Sequence, residues 1–313
     1  MAEAPEMLPE ARDLLDSQRK TWAGLTTVAE KRRAWSQYAA SLARPVPVSL
    51  SVSDSSVPSP DGPVPIRLYR PRDKAGPLPC VIYMHGGGFM MGDLDSSDSI
   101  AWGFAEKTRA TVISIDYRLT PEHPFPAAFN DCWAVLTNVH AHPQTYGIDP
   151  TRIVLAGDSA GAKLTAGLSL KARDEGSPIV AGQAMIYGTG GTVPETESMR
   201  LFAEGYGLTA ANSAKYQAML TPTDRYDRDP YAWPIRAADH SGLPTALIHT
   251  AELDPGRDSA RHYAAKLVLA GVPTEYREAK GLVHGFMRLR FVGPASRAEF
   301  SAICDFLERR LFG

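Results

Sequence analysis

The chain has 313 residues, a formal net charge of −2 and an apolar share of 44%. That length allows one large α/β domain or two smaller ones, with apolar residues enough for a sizeable core. So even a charge balance, with no block of Lys or Arg, argues against a nucleic-acid partner or an anionic membrane surface. The densest basic run, Lys31-Arg32-Arg33, falls in a helical pattern and is expected to form a solvated face. Cys80, Cys132 and Cys304 are too few and too scattered for a disulfide framework or a zinc site. They are expected as reduced residues in a strand and two helices. Residues 1–20 are polar and acidic, unlike a signal peptide, and no apolar stretch approaches the ~20 residues of a membrane span. Cytoplasm is the expected address.

Residues 5–43 carry helical spacing, with Leu8, Ala11, Leu14 and Leu15 on one stripe and Val28, Trp35, Tyr38 and Leu42 on a second. Two amphipathic helices ahead of any strand read as an added cap, either covering the sheet or lining a substrate entrance. After the proline break at 45–47, Val48, Leu50 and Val52 alternate with serines as a half-exposed strand. Residues 53–65 are turn-rich, and Val64, Ile66 and Leu68 mark an antiparallel neighbour. The run 80–84 is continuously apolar, as a strand buried on both faces should be. Then follow a helix at 99–108, a strand at 111–116, a helix at 126–139 and strands at 153–156 and 180–187. After an irregular stretch at 188–243 come a strand at 245–250, a helix at 257–270 stopped by Gly271, a strand at 272–278 and a helix at 295–311. Eight strands with interleaved helices imply one doubly wound α/β sheet, mostly parallel with an antiparallel start. Such sheets bind ligands at the carboxyl ends of their strands.

The chemistry gathers at those ends. Gly157-Asp158-Ser159-Ala160-Gly161 follows an apolar strand and opens a helix. A sharp turn there would hold Ser159 in strained geometry and aim the Ala160 N–H and the helix dipole at the same space. His85-Gly86-Gly87-Gly88-Phe89 follows the strand at 80–84, and its glycines allow backbone N–H groups to approach a substrate oxygen. A phosphate loop fails on spacing, because Met91 stands where the last glycine of Gly-x-Gly-x-x-Gly belongs. Downstream, His284 sits in the small-residue stretch 281–286, expected as a loop after the last strand. The strand at 245–250 is followed by Glu252, Asp254 and Asp258. All three qualify by position as the carboxylate that orients the histidine. Asp254, which ends the turn before the helix, is preferred, and Asp258 is expected to serve the helix dipole or the surface.

The order Ser, Asp, His, each after a successive strand, is that of α/β-hydrolases. His85 to Phe89, the run 116–128 beginning Asp116-Tyr117-Arg118, Gly157 to Gly161, Asp254-Pro255 and His284-Gly285-Phe286 together resemble the hormone-sensitive lipase family of serine esterases. The likeness covers about residues 45–313. It implies an α/β-hydrolase fold with a helical cap, divided as cap helices at 1–45 and a catalytic domain at 46–313 that carries a cap insertion at about 190–230. It also implies Ser159 as nucleophile, His284 as general base and acid, Asp254 as its orienter, and Gly87, Gly88 and Ala160 as oxyanion-hole donors. His85, Gly86, Asp158, Tyr117 and Arg118 would support them, with Tyr117 and Arg118 reaching Asp158. Phe89, Tyr187 and Phe286 would line the substrate pocket. The implied activity is hydrolysis of short- to medium-chain carboxylic esters through an acyl-enzyme, with no cofactor and no metal. The same triad could serve an amide, lactone or carbamate, and a ligand-binding protein of this fold is expected to lack part of it. A small-molecule ester is the expected partner, and the chain is expected as a monomer or a homodimer. Three departures bear on pocket shape: Ala162-Lys163 replaces the family's Gly-Asn, Gly256 stands where a leucine is common, and 187–191 replaces a Tyr-Pro sequence.

Overall fold

A computed structural model describes residues 5–313 as an eight-stranded sheet with helices on both faces. The chain begins with helices α1 (Pro9–Trp22) and α2 (Val28–Leu42), followed by strands β1 (Leu50–Val57), β2 (Val64–Pro71) and β3 (Leu78–Met84). Next come α3 (Leu94–Thr108), β4 (Thr111–Ile115), α4 (Ala127–Ala141), the single turn α5 (Pro143–Tyr146), β5 (Ile148–Asp158) and α6 (Ala160–Glu175). Then β6 (Gly182–Ile186), α7 (Glu197–Leu201), α8 (Ala210–Leu220), β7 (Ala246–Leu253), α9 (Arg257–Leu269), β8 (Thr274–Val283) and α10 (Pro294–Phe312) complete it. The strand order is β1-β2-β4-β3-β5-β6-β7-β8, with β2 antiparallel to both neighbours and every other pair parallel.

Side-chain alternation splits the core between the two faces. Val81, Tyr83, Val154 and Ala156 pack with Phe104, Phe300 and Phe306 of α3 and α10. Cys80, Ile82, Met84 and Leu155 face the other way, onto Phe129 and Leu136 of α4 and Leu164 and Leu168 of α6. Both faces of β3 and β4 are therefore buried, which is why those strands read as unbroken apolar runs. The three cysteines are free and buried in β3, α4 and α10. No helix of the described residues is long and apolar enough to cross a membrane.

Several boundaries differ from expectation, with α3 starting at Leu94, β5 at Ile148 and two helices inside 188–243, and two of the differences follow from strand pairing. Residues 53–57 are strand, not turn, because β1 pairs with β2 along its whole length although its middle is solvent-exposed. Residues 281–283 belong to β8, whose pairing with β7 resumes at Leu253↔Val283 after an irregularity, so His284 leaves a strand end and not a loop. The helices α1 and α2 are tied down by polar contacts. The Leu8 N–H donates to the Gly281 carbonyl at 2.9 Å, and buried Glu10 accepts from the Ser296 N–H and hydroxyl, both at 2.7 Å. Arg32 is no solvated residue. Its Nε donates to the Met90 carbonyl at 2.9 Å, and its Nη2 donates to the Thr120 carbonyl at 3.0 Å and to Glu122 at 2.7 Å. Lys31 lies along a cavity and Arg33 alone of that run is exposed.

Candidate active site

The turn between β5 and α6 is built by what its glycines leave out. A Cβ on Gly157 would stand 2.2 Å from the Gly161 carbonyl oxygen, and one on Gly161 would stand 2.0 Å from that of Met84. Only with both positions bare can the turn close against β3. Ser159 at its corner takes φ 52° and ψ −112°, a conformation that costs on the order of 1–3 kcal/mol and is held here by the surrounding packing. Its N–H is fixed to the Ile186 carbonyl at 2.9 Å.

Facing Ser159, the ends of β7 and β8 supply the other two groups. His284 Nε2 lies 2.8 Å from Ser159 Oγ, and its Nδ1 lies 2.6 Å from Asp254 Oδ2. Asp254 is buried, and its Oδ1 accepts the Gly256 N–H at 2.7 Å. With a proton on Nδ1, that carboxylate holds the ring so that Nε2 presents a lone pair to the serine. Glu252 does not reach the histidine. Its Oε2 accepts the Gly281 N–H at 2.8 Å, which joins the end of β7 to the strand leading into His284. Asp258 is buried and not at the surface. Its carboxylate pairs with Arg257 and Arg261 and accepts the Ser198 N–H at 2.7 Å, fastening α7 onto α9.

Asp158 has three donors: the Tyr83 hydroxyl at 2.6 Å, the Gly86 N–H at 2.8 Å and the Tyr187 hydroxyl at 3.1 Å. The expectation that Tyr117 and Arg118 reach it is incorrect. The Tyr117 hydroxyl donates to the His85 carbonyl at 2.5 Å and its ring stacks on that imidazole at 4.3 Å. Arg118 turns away to Asp131 at 2.8 Å and Asp61 at 2.9 Å. Strand direction is the reason: Tyr83, one residue before the end of β3, projects on the same face as the neighbouring turn, whereas Tyr117 and Arg118 follow β4 on the far side of β3. A tyrosine near the end of a fully buried strand was the available signal, since a buried phenol needs a partner. Burial and the Asp158 charge raise both the Tyr83 and Tyr187 phenols well above their usual range, so they remain donors. Burial lowers the His85 imidazole, which is fully enclosed and has its Nδ1 2.9 Å from the Gly86 carbonyl oxygen. It props the glycine loop and makes no contact with Ser159.

A cavity of about 570 Å³ opens over Ser159, of a size usual for small-molecule sites. Gly87, Gly88, Phe89, Ala160 and Tyr187 border it, with α1, α2 and α8 forming the opposite wall. Gly87 is required here, as it sits at φ 138° and a Cβ would meet the Met91 carbonyl oxygen at 2.1 Å. Phe286 does not line the cavity. It is fully buried against Tyr187 and His249, because the short 3₁₀ turn after Gly285 carries it inward. Among the cap aromatics, Trp22, Trp35 and Tyr216 reach the cavity, while Phe202 and Tyr206 pack on each other. Arg288, unremarkable in the sequence, is buried along the cavity with its guanidinium 4.6 Å from the Trp35 ring centre.

Comparison with known proteins agrees with this architecture. The family model described as the alpha/beta hydrolase fold matches residues 81–288. The carboxylic ester hydrolase LipN of Mycobacterium tuberculosis is 37% identical over 270 residues, covering 84% of this chain and 72% of that protein. An ethyl acetate hydrolase of Pseudomonas putida is 32% identical over 268 residues, 83% of each chain. An ester hydrolase from the metagenome of Lake Arreo, solved with a bipyridine phosphonate derivative, superimposes with a TM-score of 0.89 at 35% identity, covering 97% of this chain and 98% of that one.

Proposed function

The chain belongs to the α/β-hydrolase family, in its hormone-sensitive lipase-like branch, and is a carboxylic ester hydrolase; from that premise we propose that Ser159, His284 and Asp254 carry its chemistry. Ser159 Oγ attacks the ester carbonyl as His284 Nε2 takes its proton, and Asp254 steadies the imidazolium that forms. The negative charge on the carbonyl oxygen faces the N–H groups of Gly87, Gly88 and Ala160, with the α6 dipole behind them. His284 returns the proton to the departing alcohol, leaving the acyl group on Ser159, and then activates the water that releases it. No cofactor enters the cycle. Asp158, held by Tyr83, Gly86 and Tyr187, braces the serine turn against the glycine loop, and His85 and Tyr117 support that loop from below. Residues 1–45 and about 190–230 act as the cap of the catalytic domain at 46–313, and we place the activity in the cytoplasm.

One observation carries this reading: the unbroken chain of contacts from Asp254 Oδ2 through His284 to Ser159 Oγ, at 2.6 and 2.8 Å. The substrates are esters with short to medium acyl chains. The name of the Pseudomonas relative, an ethyl acetate hydrolase, supports the short end of that range. The test is hydrolysis of p-nitrophenyl acetate, butyrate, octanoate and palmitate by the protein and by Ser159→Ala. Turnover of the short esters that vanishes in the variant is expected. A variant that keeps its rate would refute the assignment of Ser159, and a preference for palmitate would refute the chain-length range.

A further inference from the structure

Lys163 lies on α6 one turn beyond Ser159, about 6 Å along the helix axis. It stands where the family resemblance leads to an asparagine. The residue is only 9% exposed, it lines the catalytic cavity, and its Nζ has no hydrogen-bond partner. The ammonium rests on the Trp233 ring, 3.9 Å from its centre, and the Arg236 guanidinium lies 4.8 Å from the same ring. A buried cation without an anion is costly, and a second cation nearby adds to the cost. Burial, and after it the Arg236 charge, lower the Lys163 ammonium to about 7. A lysine that served only to fill this space would be better replaced by methionine or leucine.

The rest of the cavity points the same way. Its charged lining residues are Arg19, Lys31, Lys163, Arg288, Asp158 and Asp254. Both aspartates are engaged, Asp158 by three donors and Asp254 by His284 and Gly256. Arg288 Nη2 is buried without a partner, as are the indole N–H of Trp35 and the hydroxyl of Tyr38 beside it. The cavity wall therefore carries an excess of positive charge, with no free carboxylate among its described lining residues.

We infer that the preferred substrates carry a second, anionic carboxylate, as half-esters of short dicarboxylic acids do, and that Lys163 is the specificity-determining residue that binds it. The inference rests on the reading of Ser159 as nucleophile. Lys163 borders the cavity although Trp233 does not, so binding requires rotation about the flexible lysine stem to bring the ammonium from the Trp233 face to the substrate. The helical rise from Ser159 to Lys163 is about 6 Å, the scale of a glutarate acyl chain. The ion pair that forms supplies the counter-charge missing from the free protein.

The test compares monomethyl glutarate with methyl glutaramate, its uncharged isostere, using the full chain and Lys163→Met. The unmutated protein is expected to favour the half-ester by about tenfold or more in kcat/KM, chiefly through KM, as befits a charge-assisted contact. In Lys163→Met that preference is expected to collapse to about one. A ratio of one or less in the unmutated protein overturns the inference, and so does an unchanged ratio in the variant. Should Lys163→Met fail to fold, the comparison in the unmutated protein decides alone. Ser159-dependent hydrolysis of the glutaramate without any preference leaves the esterase reading standing and removes only this inference. Absence of Ser159-dependent turnover on both substrates removes both.

Discussion

At the scale of single residues, the two acidic candidates after β7 have separate tasks. Asp254 touches His284, whereas Asp258 holds α7 through the Ser198 N–H. Asp254→Asn is expected to lower kcat roughly 10³- to 10⁴-fold, because an amide at that place favours the wrong histidine tautomer. Asp258→Asn is expected to keep kcat within about tenfold and to cost stability instead. Steady-state rates on p-nitrophenyl butyrate check both, and the opposite ranking would refute the assignment. A third acid gives a pH signature. Burial, followed by the charges of Asp93 and Asp95, raises the Asp116 carboxyl from 3.8 to about 6. Between those values the native state keeps a proton that the unfolded chain has lost, so stability falls as pH rises through this window and is level above it. Asp116→Asn is therefore expected to stabilise the protein at pH about 8 and to have little effect at pH about 4, measured by urea unfolding. A difference that does not change with pH would refute the effect. Ser159, His284 and Asp254 were legible in the sequence because each sits at a strand end in local turn chemistry. Tyr83 was not, since its place in a buried strand signals only that its phenol needs a partner, and that partner, Asp158, lies 75 positions away.

At the scale of elements, the helices before the first strand are part of the site and not a detachable appendage. Arg32 of α2 reaches carbonyls at Met90 and Thr120, on the segments that follow the glycine loop and β4. Arg32→Ala removes these bonds and the Glu122 pair, and is expected to cost about 1–3 kcal/mol and to expose α2 to protease before the sheet unfolds. Limited proteolysis and thermal unfolding would show it, and cleavage unchanged from the parent protein would count against such docking. Helical periodicity revealed α1 and α2 but not their footing. An arginine among basic neighbours looks solvated until the backbone it meets is known. The expected loop at 281–283 erred for a related reason. Gly281 looks like a strand breaker, yet the Glu252 carboxylate accepts its N–H and keeps β8 aligned up to His284.

At the scale of the whole molecule, the parallel centre of the sheet was readable because strands buried on both faces lose their polar alternation. Residues 188–243 gave no such pattern, since α7 and α8 are placed by contacts with α9 and the cavity and carry little periodicity of their own. The contact between Glu10 and Ser296 spans 286 positions, nearly the full chain. It also sets a timetable. As the chain leaves the ribosome, α1 emerges long before β8 and α10, to which its polar contacts tie it. The chain of contacts from Asp254 to Ser159 is likewise incomplete until His284 appears. Synthesis therefore leaves the mouth of the cavity unfinished until those late segments have been made.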